Sequence, residues 1–166
     1  NTVKKKYFVY YDHEEYEVDF NQLIKYCSYF NINQNKFEKE TKIYLSNEIE
    51  DDITLTKESI RVFISSCHEE NFALNSEIII PLQYLSHVFG FPELASITND
   101  FVKDHMKELA FKIISFKKSK SCEVNHSKAF FDTSEEENII AENMPELIDN
   151  EEMLQLPISV LHRIFI

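Results

Sequence analysis

The chain has 166 residues, with 29 acidic and 17 basic side chains and a formal net charge of −12. That balance excludes the basic footprint that nucleic-acid phosphates require, and it argues against docking on an anionic membrane surface. A single glycine excludes glycine-rich phosphate loops, and 14 Phe with 8 Tyr exclude a disordered polymer. No apolar run approaches the roughly 20 residues of a membrane span, and the start does not read as a signal peptide. Three cysteines, an odd number, predict a reducing compartment, so a cytoplasmic protein is expected.

Tyr7 to Tyr11 is β-favouring and apolar on both faces, a strand covered twice. Tyr16, Val18 and Phe20 alternate with Glu15, Glu17 and Asp19, a half-buried strand, and Asp12-His13-Glu14 reads as the hairpin turn. Phe20, Leu23, Ile24 and Cys27 then fall at helical spacing, predicting a helix over 21–30. A short strand at Lys42 to Leu45 follows. Ile60, Phe63, Ile64 and Cys67 form a helical stripe with Thr56 as N-cap. Ile78, Leu82, Leu85 and Phe89 form the next, which stops at Gly90, and Pro92 opens a further helix. Leu94, Ile97 and Phe101 continue it; Leu109, Ile113 and Phe116 mark another.

Charge divides the chain. Residues 123–152 hold 10 acids and 1 base, whereas 1–122 hold 19 acids and 15 bases. The polar run at Lys117 to Ser121 precedes the acidic window, so 117–132 reads as a linker. Ser134 to Glu137 is a capping-box pattern before Ile139, Ile140 and Met144. Pro157 opens a last amphipathic stretch of Ile158, Leu161, Ile164 and Phe165. The residues after the linker are too few to form a core alone. They are expected to dock on the apolar stripe of the 109–116 helix. Two strands, a helix, a strand and a run of helices make an α+β fold, a small sheet capped by helices.

No chemistry-bearing constellation emerges. Cys122 and His126, or Cys67 and His68, fall short of four convergent metal ligands, and Cys27 and Cys67 lie on predicted core faces. A Cys122 nucleophile would need a lowered pKa, which its acidic surroundings oppose. The acidic pairs Glu14-Glu15, Asp51-Asp52, Glu69-Glu70 and Glu151-Glu152, and the triplet Glu135 to Glu137, read as solvated faces or helix starts. Lys4 to Lys6 reads as a soluble lead. No catalytic residue, metal or cofactor is expected. The aromatic run Tyr7, Phe8, Tyr10 and Tyr11 is either buried by the chain's own helices or covered on one face by a partner.

Several segments together resemble a BTB/POZ domain followed by the start of a BACK region. Tyr16-Glu17-Val18-Asp19-Phe20 through Ser28-Tyr29-Phe30 is similar to the family's strand and following helix. Ile53-Thr54-Leu55 to Phe72-Ala73-Leu74 resembles its next helix, which ends in a short strand. Ile78 through His105, with the break at Gly90-Phe91-Pro92-Glu93-Leu94, resembles the closing helix pair. Ile140 to Met144 and Met153 to Pro157 resemble the BACK motif. Asn21-Gln22 stands where the family usually carries His-Lys. Phe37-Glu38-Lys39-Glu40 matches its cullin-contacting element only off by one. With six residues before the first strand, the sequence shows no counterpart of the helix used in the family's swapped homodimers, so that dimer is not expected.

The resemblance implies a BTB/POZ-like domain at 1–116, a linker at 117–132 and a partial BACK-like helical region at 133–166. It implies a non-enzymatic adaptor or assembly scaffold, such as a ubiquitin-ligase-type adaptor; the alternative is a structural component of a large assembly such as the cytoskeleton. The partners are then proteins, with a cullin or a cytoskeletal assembly as candidates. The expected interaction residues are Tyr7, Phe8, Tyr10 and Tyr11 on the first strand and Ile158, Leu161 and Phe165 on the last helix.

Overall fold

Asp12 and His13 sit at φ 47° and 65°, the left-handed pair that a two-residue hairpin turn needs. They join β1 (Lys6–Tyr11) to β2 (Glu14–Asp19), antiparallel with Tyr11 opposite Glu14 and Lys6 opposite Asp19. The computed structural model describes residues 6–49, 55–118, 132–147, 151–156 and 158–165. A third strand, β3 (Lys42–Tyr44), runs parallel to β1, giving the sheet order β2-β1-β3. Contacts divide the chain into two compact units, 1–98 and 99–166.

In the first unit the inner sheet face carries Tyr7, Val9, Val18 and Ile43, all buried. Phe20 stacks on Tyr7 with ring centroids 4.3 Å apart, and opens α1 (Phe20–Tyr26) instead of ending the strand. Asp19 caps that helix, its carboxylate accepting the Asn21 N–H at 3.0 Å. The helix expected over 21–30 is interrupted at Cys27, which is extended (φ −111°, ψ 110°), before α2 (Ser28–Ile32). The reason lies elsewhere in the chain: the Ser28 and Tyr29 N–H groups donate to the Gly90 and Phe89 carbonyls at 3.0 and 3.1 Å. Those bonds satisfy donors and acceptors at two helix ends at once. A short α3 (Gln34–Phe37) precedes β3.

Helix α4 (Lys57–Cys67) begins as expected at Thr56, whose hydroxyl accepts the Ser59 N–H at 3.1 Å. Its Ile60, Phe63 and Cys67 are buried against α5 (Ile79–Val88), which is apolar nearly all round. Residues 71–75, where the resemblance implies a short strand, adopt no regular structure. Gly90 follows α5 at φ +64°, and the Phe91 N–H closes the helix end on the Ser86 carbonyl at 2.9 Å. The positive φ demands glycine; a Cβ there would also lie 2.0 Å from the Ser28 Oγ and force that hydroxyl to turn away. Helix α6 starts at Pro92 and ends at Asp104.

His68 ties β2 to the end of α4. Its Nδ1 lies 2.8 Å from the Ile64 carbonyl, and its Nε2 lies 3.0 Å from the Asp19 amide nitrogen. Only the tautomer with the proton on Nδ1 satisfies both, because Nε2 must accept.

The second unit is built on α7 (Met106–Lys118), with Leu109, Ala110, Phe111, Ile113 and Ile114 buried. Against it pack α8 (Ser134–Glu142) and a 3₁₀ segment, Glu151–Gln155; α8 in turn contacts α9 (Met144–Leu147) and α10 (Ile158–Phe165). Ile140, Leu147, Met153, Leu156 and Val160 are thereby covered. The expected cover for this segment is thus found on α7. Helix α7 itself, grouped with the first domain in the sequence, packs within this unit. Most of the linker expected at 117–132 lies outside the described residues. Among those residues no helix is long and apolar enough to cross a membrane.

Several phenols are ionised less readily in the fold than in the unfolded chain. Burial raises the pKa of Tyr7, Tyr16 and Tyr29, and the carboxylate of Glu48, hydrogen-bonded to the Tyr29 hydroxyl, raises that group further. A raised folded pKa contributes stability that is complete below the unfolded value of 10.0 and is lost as pH rises beyond it. Alkaline titration is therefore expected to be cooperative. Part of the phenolate absorbance at 295 nm should appear together with loss of far-ultraviolet circular dichroism above about pH 10. Smooth titration of every tyrosine with the dichroism retained would contradict this.

Candidate functional site

Alternation along β1 separates the expected interaction residues. Tyr7 is buried at 3% exposure, and its hydroxyl donates to the Phe37 carbonyl at 2.9 Å, so it belongs to the core and presents no surface. Tyr11, on the same face, is half-buried and accepts the Leu55 N–H at 2.9 Å. Phe8 and Tyr10 point the other way and are half-buried. Strand pairing sets them in two rows. Glu17, Phe8 and Lys42 lie side by side across the sheet, and Glu15, Tyr10 and Tyr44 form the next row. Tyr10 and Tyr44 stack with centroids 5.3 Å apart, and Tyr44 is 45% exposed. Burial and then the Glu15 carboxylate push the Tyr10 phenol pKa up. The outer face is therefore an aromatic centre with carboxylates at one edge and a lysine at the other. Tyr44 is a surface residue that sequence reasoning missed; its short strand gave too little pattern to assign a face.

Helix α10 carries the second surface. Val160 is fully buried, whereas Ile158 is 84% and Phe165 56% exposed, with Leu161 intermediate. At 100° per residue, Ile158, Leu161 and Phe165 fall on one stripe, and the apolar arc continues from it through Ile164 to the buried Val160. Arg163 fixes the helix by donating to the Glu137 carboxylate from Nε at 2.8 Å and from its terminal nitrogen at 2.7 Å. That carboxylate also accepts the Thr133 hydroxyl at 3.1 Å. Beside it the Lys117 ammonium pairs with Glu136 at 3.1 Å, both side chains almost fully buried. Glu136 and Glu137 therefore depart from the solvated-face expectation: each has found a basic partner and become part of the packing.

Cys27 and Cys67 are free, fully buried thiols with sulfurs 3.9 Å apart; contact with Cys27 and burial push the Cys67 thiol well up, away from nucleophilic thiolate. The neighbouring His68 ring has both nitrogens engaged by backbone. Among the described residues no three His, Cys, Asp or Glu side chains converge as metal ligands; Cys122 and His126 lie outside them. Glu14 pairs with Lys57 at 2.6 Å and Glu69 with Lys25 at 3.2 Å. An open cleft of about 340 Å³ beside Gly90 is lined mainly by apolar atoms of Phe91, Pro92 and Ala95, with Ser28, Ser86 and His87. The Ser86 hydroxyl donates to the Gln83 carbonyl at 2.7 Å within its own helix.

No family model matches the chain, and no curated protein matches it.

Proposed function

We propose that the chain is a non-enzymatic protein-interaction module, BTB/POZ-like with a BACK-like helical extension, acting in the cytoplasm as an adaptor or assembly scaffold. Its support is the order of hairpin, helix, parallel third strand and helices, with the break at Gly90-Phe91-Pro92 between α5 and α6. The observation that carries the interaction role is α10, whose single apolar arc runs from the buried Val160 round to the exposed Ile158 and Phe165 and is left open at that end. Anchors at i, i+3 and i+7 suit a hydrophobic groove on a partner protein. The resemblance offers a cullin as that partner; a cytoskeletal lattice is the alternative.

Purified cullin and assembled filaments, each tested for direct binding, separate the two. One of them should bind wild-type chain and lose roughly tenfold or more in affinity with Ile158→Glu or Phe165→Glu, since apolar anchors dominate such contacts. Both substitutions are on exposed positions and should leave the melting temperature within a few degrees. Binding of neither, or binding that ignores both substitutions, would contradict the proposal.

A further inference from the structure

We infer that the outer face of the sheet is a self-complementary contact, on which two copies of this chain pair face to face. The face has three parallel stripes: Glu15, Glu17 and Asp19 on β2, Lys6, Phe8 and Tyr10 on β1, Lys42 and Tyr44 on β3. Glu15, Glu17 and Lys42 are exposed. Stacked sheets lie about 10 Å apart with strands nearly aligned. A two-fold axis parallel to β1, placed midway between two such sheets, leaves each residue at its own height and exchanges left with right. Phe8 and Tyr10 then meet their own counterparts, and so does Lys6 at the end of the stripe, its charge offset within each chain by Glu17. The acidic stripe of one copy lies over β3 of the other. Strand register puts Glu17 and Lys42 in the same row, so each Glu17 carboxylate comes opposite a Lys42 ammonium, twice per pair. Glu15 comes opposite the Tyr44 hydroxyl, which can donate to it. The other in-plane axis would set acid over acid and is excluded by charge.

One chain thus supplies both halves of the charge pattern, as an isologous contact requires. Lys6 already sits 3.2 Å from Glu17 with both side chains exposed, and leaves that carboxylate open to a second cation. A three-strand patch is small for an interface, so the pair is expected to be weak, with Kd on the order of micromolar.

Sedimentation equilibrium over about 1–500 µM tests this in the full chain, using the charge swap Glu17→Lys, Lys42→Glu, or both. Wild-type chain should dimerise. Each single swap places two like-charged pairs across the axis and should weaken the dimer about tenfold or more. Mixing the two single variants pairs lysine with glutamate at both contacts, so heterodimer should return to within about threefold of wild type. The double variant should do the same. Ile158→Glu should dimerise like wild type, which keeps this contact distinct from the α10 surface. Substitutions on these exposed positions should leave the far-ultraviolet spectrum unchanged; Tyr44→Glu, which should also weaken the dimer, serves as a second probe. A wild-type chain that stays monomeric at 500 µM, single variants that dimerise as well as wild type, or a mixture that fails to recover would each overturn the inference.

Discussion

Replacing Phe63 with alanine is expected to lower the melting temperature of the first unit by at least about 12 °C. Phe63 is buried on α4, its ring tilted against Phe89 at 5.7 Å and edge-on to Phe91 at 6.1 Å. Phe89 in turn stacks on Phe30 at 5.0 Å, so the substitution opens a hole beneath a chain of rings joining α4, the end of α5 and α2. A Phe→Ala change in such a place costs about 3–5 kcal/mol, and each kcal/mol moves a domain of this size by about 4–8 °C. Leu85→Ala, at 1% exposure on α5, should cost about 2–5 kcal/mol. These are large shares of a total stability of about 5–15 kcal/mol. Scanning calorimetry checks both; melting within a degree or two of wild type would show that these residues do not face the core.

Lys117→Met is expected to destabilise the second unit by about 3–5 kcal/mol, although it keeps most of the side-chain volume. The Lys117 ammonium lies 3.1 Å from Glu136 and donates to the Asp132 carbonyl at 3.2 Å. Their side chains are only 10% and 6% exposed, so Glu136 would be left as a buried charge without its lysine. The companion variant Lys117→Met with Glu136→Leu removes both charges and should recover most of the loss, because an apolar pair needs no counter-ion. Urea denaturation of the two variants measures this. Equal destabilisation in both would mean that the packing around α7 and α8, rather than the uncompensated charge, carries the effect.

What the sequence discloses depends on how local the cause is. Thr56 and Gly90 mark helix ends through their own side chains and are legible directly. Ile60, Phe63 and Cys67 show the buried face of α4 by spacing alone. The break at Cys27 is not legible, because the carbonyls that draw Ser28 and Tyr29 out of the helix belong to Phe89 and Gly90. The burial of Glu136 and Glu137 depends likewise on Lys117 and Arg163, 19 and 26 residues away. From Tyr7 to Tyr11 every position of β1 is apolar or aromatic, so alternation alone does not say which face is inner. Tyr7 goes inside because Phe20 waits there to stack on it. The stripe on α10 was legible because Ile158, Leu161 and Phe165 leave more apolar perimeter than one packing partner covers. Tyr44 needed the parallel pairing of β3 with β1, a contact between strands more than thirty residues apart.

Hydroxyl-radical footprinting of the chain, alone and bound to its partner, tests the proposed role of these surfaces most directly, since aromatic and branched aliphatic side chains report their own exposure. Partner binding should protect Ile158, Leu161 and Phe165, and raising the concentration of free chain should protect Phe8, Tyr10 and Tyr44. Protection concentrated instead at the cleft of Phe91, Pro92 and Ala95, with α10 and the outer sheet face unchanged, would contradict the account.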